Sequence, residues 1–338
     1  MAKKKTPSHP SNGNNGAGEA KTLDPITELD SQISETLSEI SLLRGGAKIL
    51  PLFLDRASIN VKTVDDVFDD LRAKYEGVPI AERTRLDVIL ESSGGSIDAA
   101  YNIALLLRRY AKDELNIIIP RWAKSAATVI ACAGDKIFLT PVAELGPVDP
   151  QITMYNPLEE RLEEFSPLDI DSTLDLIRDE FNKGNKDLAQ GLLSRLQFPL
   201  TLGGIKKSLE VGTNYITRLL STRMLQGETE KAEKIAGCLV HQYSNHGFCI
   251  EVDEACDIGL KAEMLPDKQV EAVWKFRKLV KEKARIEKQK KSKEVQEMLK
   301  TLPPDLLKQI PDLLQKDEDK ESDKATPAKA TSSREDVS

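Results

Sequence analysis

Two stretches of this chain hold residue types suited to acyl transfer. Leu86-Asp87-Val88-Ile89-Leu90-Glu91-Ser92-Ser93-Gly94-Gly95-Ser96 is an apolar strand that runs into a two-glycine turn and then a helix. Further on, Ala123-Lys124-Ser125-Ala126-Ala127-Thr128 puts a serine at the start of a second, short helix, again just after a strand. Two such turns side by side in a sheet aim backbone N–H groups and a hydroxyl at one point. An acyl-transfer enzyme needs that pairing of a nucleophile with an oxyanion hole. Gly94-Gly95, with no Cβ, lets the backbone turn sharply and approach a ligand. The helix that follows offers free N–H groups and the positive end of its dipole.

Each turn also has a plainer reading. The glycines fit an ordinary strand–helix connection packed closely. Ser125 fits a helix N-cap whose hydroxyl bonds the N–H of Ala127 or Thr128. No G-x-G-x-x-G turn and no Walker A lysine is present, which argues against a nucleotide site. The flanks of Ser125 lack G-x-S-x-G, so this is not the elbow of an α/β-hydrolase.

The elements that must position these turns follow from hydropathy. Residues 26–44 read as an amphipathic helix on Ile26, Leu29, Ile33, Leu37, Ile40 and Leu43. A strand at 47–54 and a helix at 64–75 precede strand 86–91, helix 96–111, strand 115–120, short helix 124–134 and strand 135–140. Strands alternating with helices predict a mostly parallel sheet with helical crossovers. Beyond about 155 the pattern turns helical, at 157–165, 169–182, 185–196, 202–226 and 228–240. An extended Phe248-Cys249-Ile250 precedes helix 253–258, and a long charged helix runs from about 268 to 300. The expected organisation is a disordered tail at 1–24, a folded domain at 25–265, the charged helix and a short helix at 266–314, and a second disordered tail at 315–338.

Composition narrows the class. The 338 residues are 40% hydrophobic and 30% charged, with a formal net charge of −7. That excess of acid argues against nucleic acid as the main partner. Four cysteines at irregular spacing fit a reducing cytosol better than a disulfide framework. No apolar run approaches the roughly 18–20 residues of a membrane span. Lys3, Lys4 and Lys5 are followed by polar residues rather than a signal-peptide core. A cytoplasmic protein is expected.

A third motif, Glu144-Leu145-Gly146-Pro147-Val148-Asp149-Pro150-Gln151, completes a series. Taken with the two turns, and with His246-Gly247-Phe248-Cys249-Ile250 and Glu254-Ala255-Cys256-Asp257-Ile258-Gly259-Leu260, it resembles the serine dehydrogenase proteinase family. That family is a distant relative of the Clp protease proteolytic subunit and of signal peptide peptidase A. The resemblance covers roughly 85–265. It implies the Clp/crotonase spiral fold, an α/β architecture with a mostly parallel sheet, here with a helical C-terminal extension. It also implies a Ser, Asp, His triad in chain order. Position by position, Ser125 becomes the nucleophile, Asp149 the orienting acid and His246 the base. Gly94 and Gly95 with Ala126 become the oxyanion-hole backbone. Two departures stand out: Ser93 replaces the proline usual before the glycine pair in Clp-type turns, and Asp149 occupies the place where those sequences carry histidine.

The base has few other candidates. Of three histidines, His9 lies in the polar start, His241 at a helix end and His246 before a glycine at a loop-to-strand junction. A Ser-Lys dyad would draw on Lys124, Lys183 or Lys186, the last two in a charged helix. His241, His246, Cys249 and Cys256 lack the spacing of a zinc site, and the two cysteines read as core residues. No metal and no cofactor is expected. The leading reading is a serine peptidase acting on a peptide or protein substrate as a homo-oligomer, with any ATPase or adaptor partner unidentified. The rivals are crotonase-like chemistry on an acyl-CoA, and a catalytically degenerate oligomeric scaffold.

Overall fold

The computed structural model describes residues 24–54, 58–148, 152–156, 161–165, 167–195, 202–243 and 247–301. The tails expected at 1–24 and 315–338 therefore lie outside the described residues, apart from Asp24. One compact unit comprises Ser31–Lys278, and a second takes in the start of the first helix and the last helix from Leu279 onward. Within the second, Lys283 pairs with Asp30 at 2.6 Å and Arg285 with Glu282 at 2.7 Å.

The expected mostly parallel sheet is present, with a helical C-terminal region. After α1 (Pro25–Leu43), β1 (Lys48–Leu54) and α2 (Val61–Lys74) lead to β2 (Arg85–Ser92), α3 (Ile97–Tyr110) and β3 (Glu114–Ile119). Next come β4 (Trp122–Ala123), α4 (Ala126–Ala131), β5 (Lys136–Leu139) and β6 (Glu144–Leu145). The strand order is β6-β4-β2-β3-β5 and then β9 (Ala262–Met264), with β1 also paired to β2, and every one of these pairings is parallel.

Because parallel partners in register point to the same face, the sheet's two sides can be read from the ladder. One side carries Leu50, Val88, Ile117 and Ile137 in one row and Leu52, Leu90, Ile119 and Leu139 in the next. These belong to the main core together with Ala100, Ile103, Ala104 and Leu107 of α3. The helix forms where its small and branched residues recur at helical spacing, and Ser96 caps it by accepting from the Ala99 N–H at 3.3 Å. The other side carries Asp87, Ile89 and Glu91 of β2, all fully buried. Strands covered on both faces are normally a continuous apolar run, so two carboxylates here need partners. Asp87 receives Arg44, at the end of α1, at 2.5 Å. Glu91 receives Arg277 of α10 (Asp267–Thr301) at 2.7 Å.

Beyond the sheet lie α5 (Pro167–Asn182), α6 (Lys186–Arg195), α7 (Leu202–Thr222), α8 (Thr229–Gly237), a π-helical turn at Cys238–Gln242 and α9 (Val252–Asp257). One expectation is overturned. Residues 161–165, expected within a helix at 157–165, form a strand instead: β7 (Ile152–Asn156) and β8 (Arg161–Phe165) pair antiparallel, Ile152 opposite Phe165 and Asn156 opposite Arg161, while 157–160 lie outside the described residues. The glutamate-rich β8 takes its ladder bonds from a partner strand that local periodicity cannot see. Cys249 and Cys256, expected in the core, are exposed.

Candidate active site

Ser125 sits in a backbone conformation that needs a reason. With φ +50° and ψ −122° it is the one non-glycine residue with positive φ among the described residues. Such a conformation costs about 1–3 kcal/mol and persists only where the surroundings impose it. The capping role is not realised: Ser125 precedes α4, yet its hydroxyl makes no bond to the helix N–H groups. The first turn closes instead through backbone bonds, Ala127 N–H to the Lys124 carbonyl at 2.9 Å and Thr128 N–H to the Ser125 carbonyl at 2.8 Å. All six residues of α4 are buried. Its alanines let the helix press against the sheet, and the strand-to-helix turn is correspondingly abrupt.

Thr128 holds this turn from inside. Its buried hydroxyl lies 2.8 Å from the Ala123 carbonyl and 2.7 Å from the Gly146 carbonyl. The Gly146 N–H donates to the Ala123 carbonyl at 2.9 Å. One side chain thus ties α4, β4 and the Gly146 loop together. Sequence reasoning missed this role, although a threonine three positions after the serine was in view.

The glycine turn meets the serine turn at close range. A Cβ built on Gly94, whose φ is +114°, would fall 2.9 Å from the Lys124 carbonyl oxygen and 2.9 Å from the Ser125 Cβ. On its far side the turn is pinned to Ile59, which donates to the Gly94 carbonyl at 2.9 Å and accepts from the Ser96 N–H at 2.7 Å. In a parallel bridge of this kind the intervening residue, Gly95, directs its own N–H to the opposite edge. That is the edge where β4 runs, with Ala123 opposite Ser92 and the Lys124 N–H bonded to the Ser92 carbonyl at 3.0 Å. The N–H groups of Gly95 and Ala126 have no acceptor among the described residues. The Gly94 N–H does have one, the Ser92 hydroxyl at 3.1 Å. Of the three residues expected to supply oxyanion donors, Gly94 therefore has its N–H already engaged within its own turn.

Two further segments converge here. Leu145 and Ile250 exchange both backbone bonds, at 2.8 and 3.1 Å, and the Val148 N–H donates to the Leu239 carbonyl at 2.9 Å. Lys124 is engaged by these segments: its ammonium lies 3.0 Å from the Phe248 carbonyl and 3.3 Å from Glu144. Burial pushes the Glu144 carboxyl up, but the Cys249 thiol and the Lys124 and Arg121 cations outweigh it and hold the group below the usual carboxylate range. Asp149 and His246 themselves lie outside the described residues. Their chain neighbours Val148 and Gly247 belong to these two segments. His241 is elsewhere engaged, its Nε2 lying 3.2 Å from the Thr213 hydroxyl. Lys183 is paired with Glu180 at 2.8 Å, and Lys186 lies over the Phe181 ring at 5.5 Å. Lys124 and Lys183 are thus both held by carboxylates.

The profile of one protein family matches residues 54–197, a span that includes both turns. It is the ClpP-like SDH-type serine proteinase family. The resemblance expected from the motifs is to this same ClpP-like proteinase family. Two uncharacterized proteins of Methanocaldococcus jannaschii are similar in sequence. One is 27% identical over 231 residues, covering 68% of this chain and 69% of the relative. The other is 30% identical over 203 residues, covering 60% of this chain and 58% of the relative. Among solved structures, a serine-to-alanine mutant of a membrane-bound stomatin-specific protease aligns with TM-score 0.40 and 17% identity over 65% of this chain and 81% of its own. A ClpP1 mutant from Listeria monocytogenes aligns with TM-score 0.37 and 15% identity over 68% and 99%. These structural likenesses are too distant to assign roles to residues. Among the described residues, no helix is long and apolar enough to cross a membrane.

Proposed function

We propose that this ClpP-like chain is a serine peptidase with Ser125 as its nucleophile. The observation that carries the reading is the strained, uncapped Ser125 turn pressed against Gly94-Gly95. A serine meant only to cap a helix would relax into extended backbone and bond the helix N–H groups. In the proposed reaction His246 takes the Ser125 proton as Oγ bonds to the substrate carbonyl carbon. The carbonyl electron pair moves onto oxygen, which the Gly95 and Ala126 N–H groups stabilise. Collapse returns the proton to the leaving amine, and water then hydrolyses the acyl-serine. Asp149 orients the imidazole. The substrate is a peptide or protein, and the working form is a homo-oligomer.

Crotonase-like chemistry would use the same N–H pair without a serine nucleophile, and so gives no reason for strain at Ser125. A fluorophosphonate probe separates the two. Covalent labelling of the wild type at Ser125, absent in Ser125→Ala, supports the peptidase. A folded wild type that resists the probe overturns it.

A further inference from the structure

We infer that Arg277, on the C-terminal helix α10, is a positioning residue for the Ser125 turn, clamping together the two strands that deliver the nucleophile and the oxyanion backbone. The inference rests on the Ser125 reading above. Its basis is where the Arg277 side chain lies. The guanidinium makes a bidentate pair with Glu91, Nε to Oε2 at 2.7 Å and Nη2 to Oε1 at 2.9 Å. It also lies 5.5 Å from the Trp122 ring centroid and 4.8 Å from that of Trp274. Glu91 stands three positions before Gly94 on β2, and Trp122 three positions before Ser125 on β4. One side chain therefore grips the approach to each turn.

The backbone alone holds these approaches weakly. β4 is two residues long and meets β2 at one ladder pair, Ser92 opposite Ala123. A site of this kind needs its nucleophile and its oxyanion donors held to about 0.5 Å. The Arg277 clamp supplies a second constraint just upstream of that pair. Its own position is fixed by the neighbouring Phe276, which is buried edge-on against Phe53, the β1 residue opposite Glu91. Glu91 is fully buried and the Arg277 side chain only 12% exposed, so the pair is desolvated and directional rather than a mobile surface contact. Lysine cannot reproduce it, having neither the planar fork nor the flat face that lies against indole.

The test compares fluorophosphonate labelling rates, per folded molecule, of wild type, Arg277→Lys and the charge-free double variant Glu91→Gln/Arg277→Met. Lys275→Ala on the same helix serves as control. The chain's two tryptophans, Trp122 and Trp274, both flank Arg277, so their emission reports on the clamp independently of chemistry. The expected result is labelling slowed about tenfold or more at every pH tested, with shifted emission, in protein that retains its circular dichroism. Lys275→Ala should label at the wild-type rate. Should Arg277→Lys fail to fold, the double variant, which leaves no unpaired buried charge, decides. A folded variant that labels at the wild-type rate overturns the positioning role alone. Absence of Ser125 labelling in the wild type overturns the peptidase reading and this inference with it.

Discussion

Gly94 and Ser125 approach so closely that a Cβ on the glycine would fall 2.9 Å from the serine's Cβ. Real Cβ atoms do not tolerate that separation, and the φ of +114° at Gly94 adds strain for any side chain. Gly94→Ala should therefore cost about 2 kcal/mol or more and slow labelling of Ser125. Gly95→Ala should be at least as damaging, because its Cβ would run into the backbone of Ile59 and the Ser58 hydroxyl. Urea unfolding of both variants checks this, and a wild-type midpoint for either would contradict the packing described.

The strain at Ser125 predicts that the nucleophile costs stability. Glycine adopts φ +50° freely. Relief of about 1–3 kcal/mol of strain outweighs the roughly 0.5–1 kcal/mol of extra chain entropy that glycine loses on folding. Ser125→Gly should thus melt above both wild type and Ser125→Ala, while neither variant takes the probe. A Ser125→Gly protein that melts below Ser125→Ala would mean the turn is unstrained.

Acid should weaken the wall formed by the 144–148 and 247–250 segments. The Glu144 carboxyl is held below its ordinary 4.5: burial opposes this, but the Cys249 thiol and the Lys124 and Arg121 cations prevail. A depressed folded-state value gives stability that is full above the ordinary pKa and lost as pH falls through the folded one. Wild type should therefore lose stability below about pH 4.5 more steeply than Glu144→Gln. Parallel pH–stability curves for the two would show that Glu144 contributes nothing.

Histidine substitutions test the proposed base. Activity should rise with pH as the imidazole of the base loses its proton. His246→Ala should abolish turnover and Asp149→Asn should impair it severely, whereas His241→Ala, which loses only a contact to Thr213, should keep most of it. Turnover that survives both histidine substitutions and climbs at alkaline pH would point to a lysine base.

The sequence shows the sheet most clearly where the strands are long. Leu86 to Leu90 and Leu115 to Ile119 are apolar runs between helices, and the parallel ladder follows from them. The two-residue β4 and β6 and the three-residue β9 are too short to carry a pattern, yet β4 is what sets Ser125 beside Gly94. The antiparallel pair of β7 and β8 was hidden for a different reason: its bonds are supplied by a partner strand rather than by local spacing. At the site, Gly-Gly and a serine after a strand flagged the two turns. Nothing in residue order announced that Ser125 would adopt positive φ, that Gly94 would give its N–H to Ser92, or that the Thr128 hydroxyl would sit between two carbonyls. Those depend on how separate strands meet in space.

The buried pair of Glu91 with Arg277 also fixes when the molecule can finish folding during its synthesis. The partners are 186 residues apart, so β2 leaves the ribosome long before the guanidinium that neutralises it has been made. Until then the strand's second face holds a carboxylate that cannot be buried alone, and the apolar residues around it stay uncovered. Contacts across so long a loop form late and slowly. The nascent chain should accordingly depend on chaperone shelter until α10 emerges, and chains truncated before residue 277 should aggregate rather than yield a smaller working enzyme.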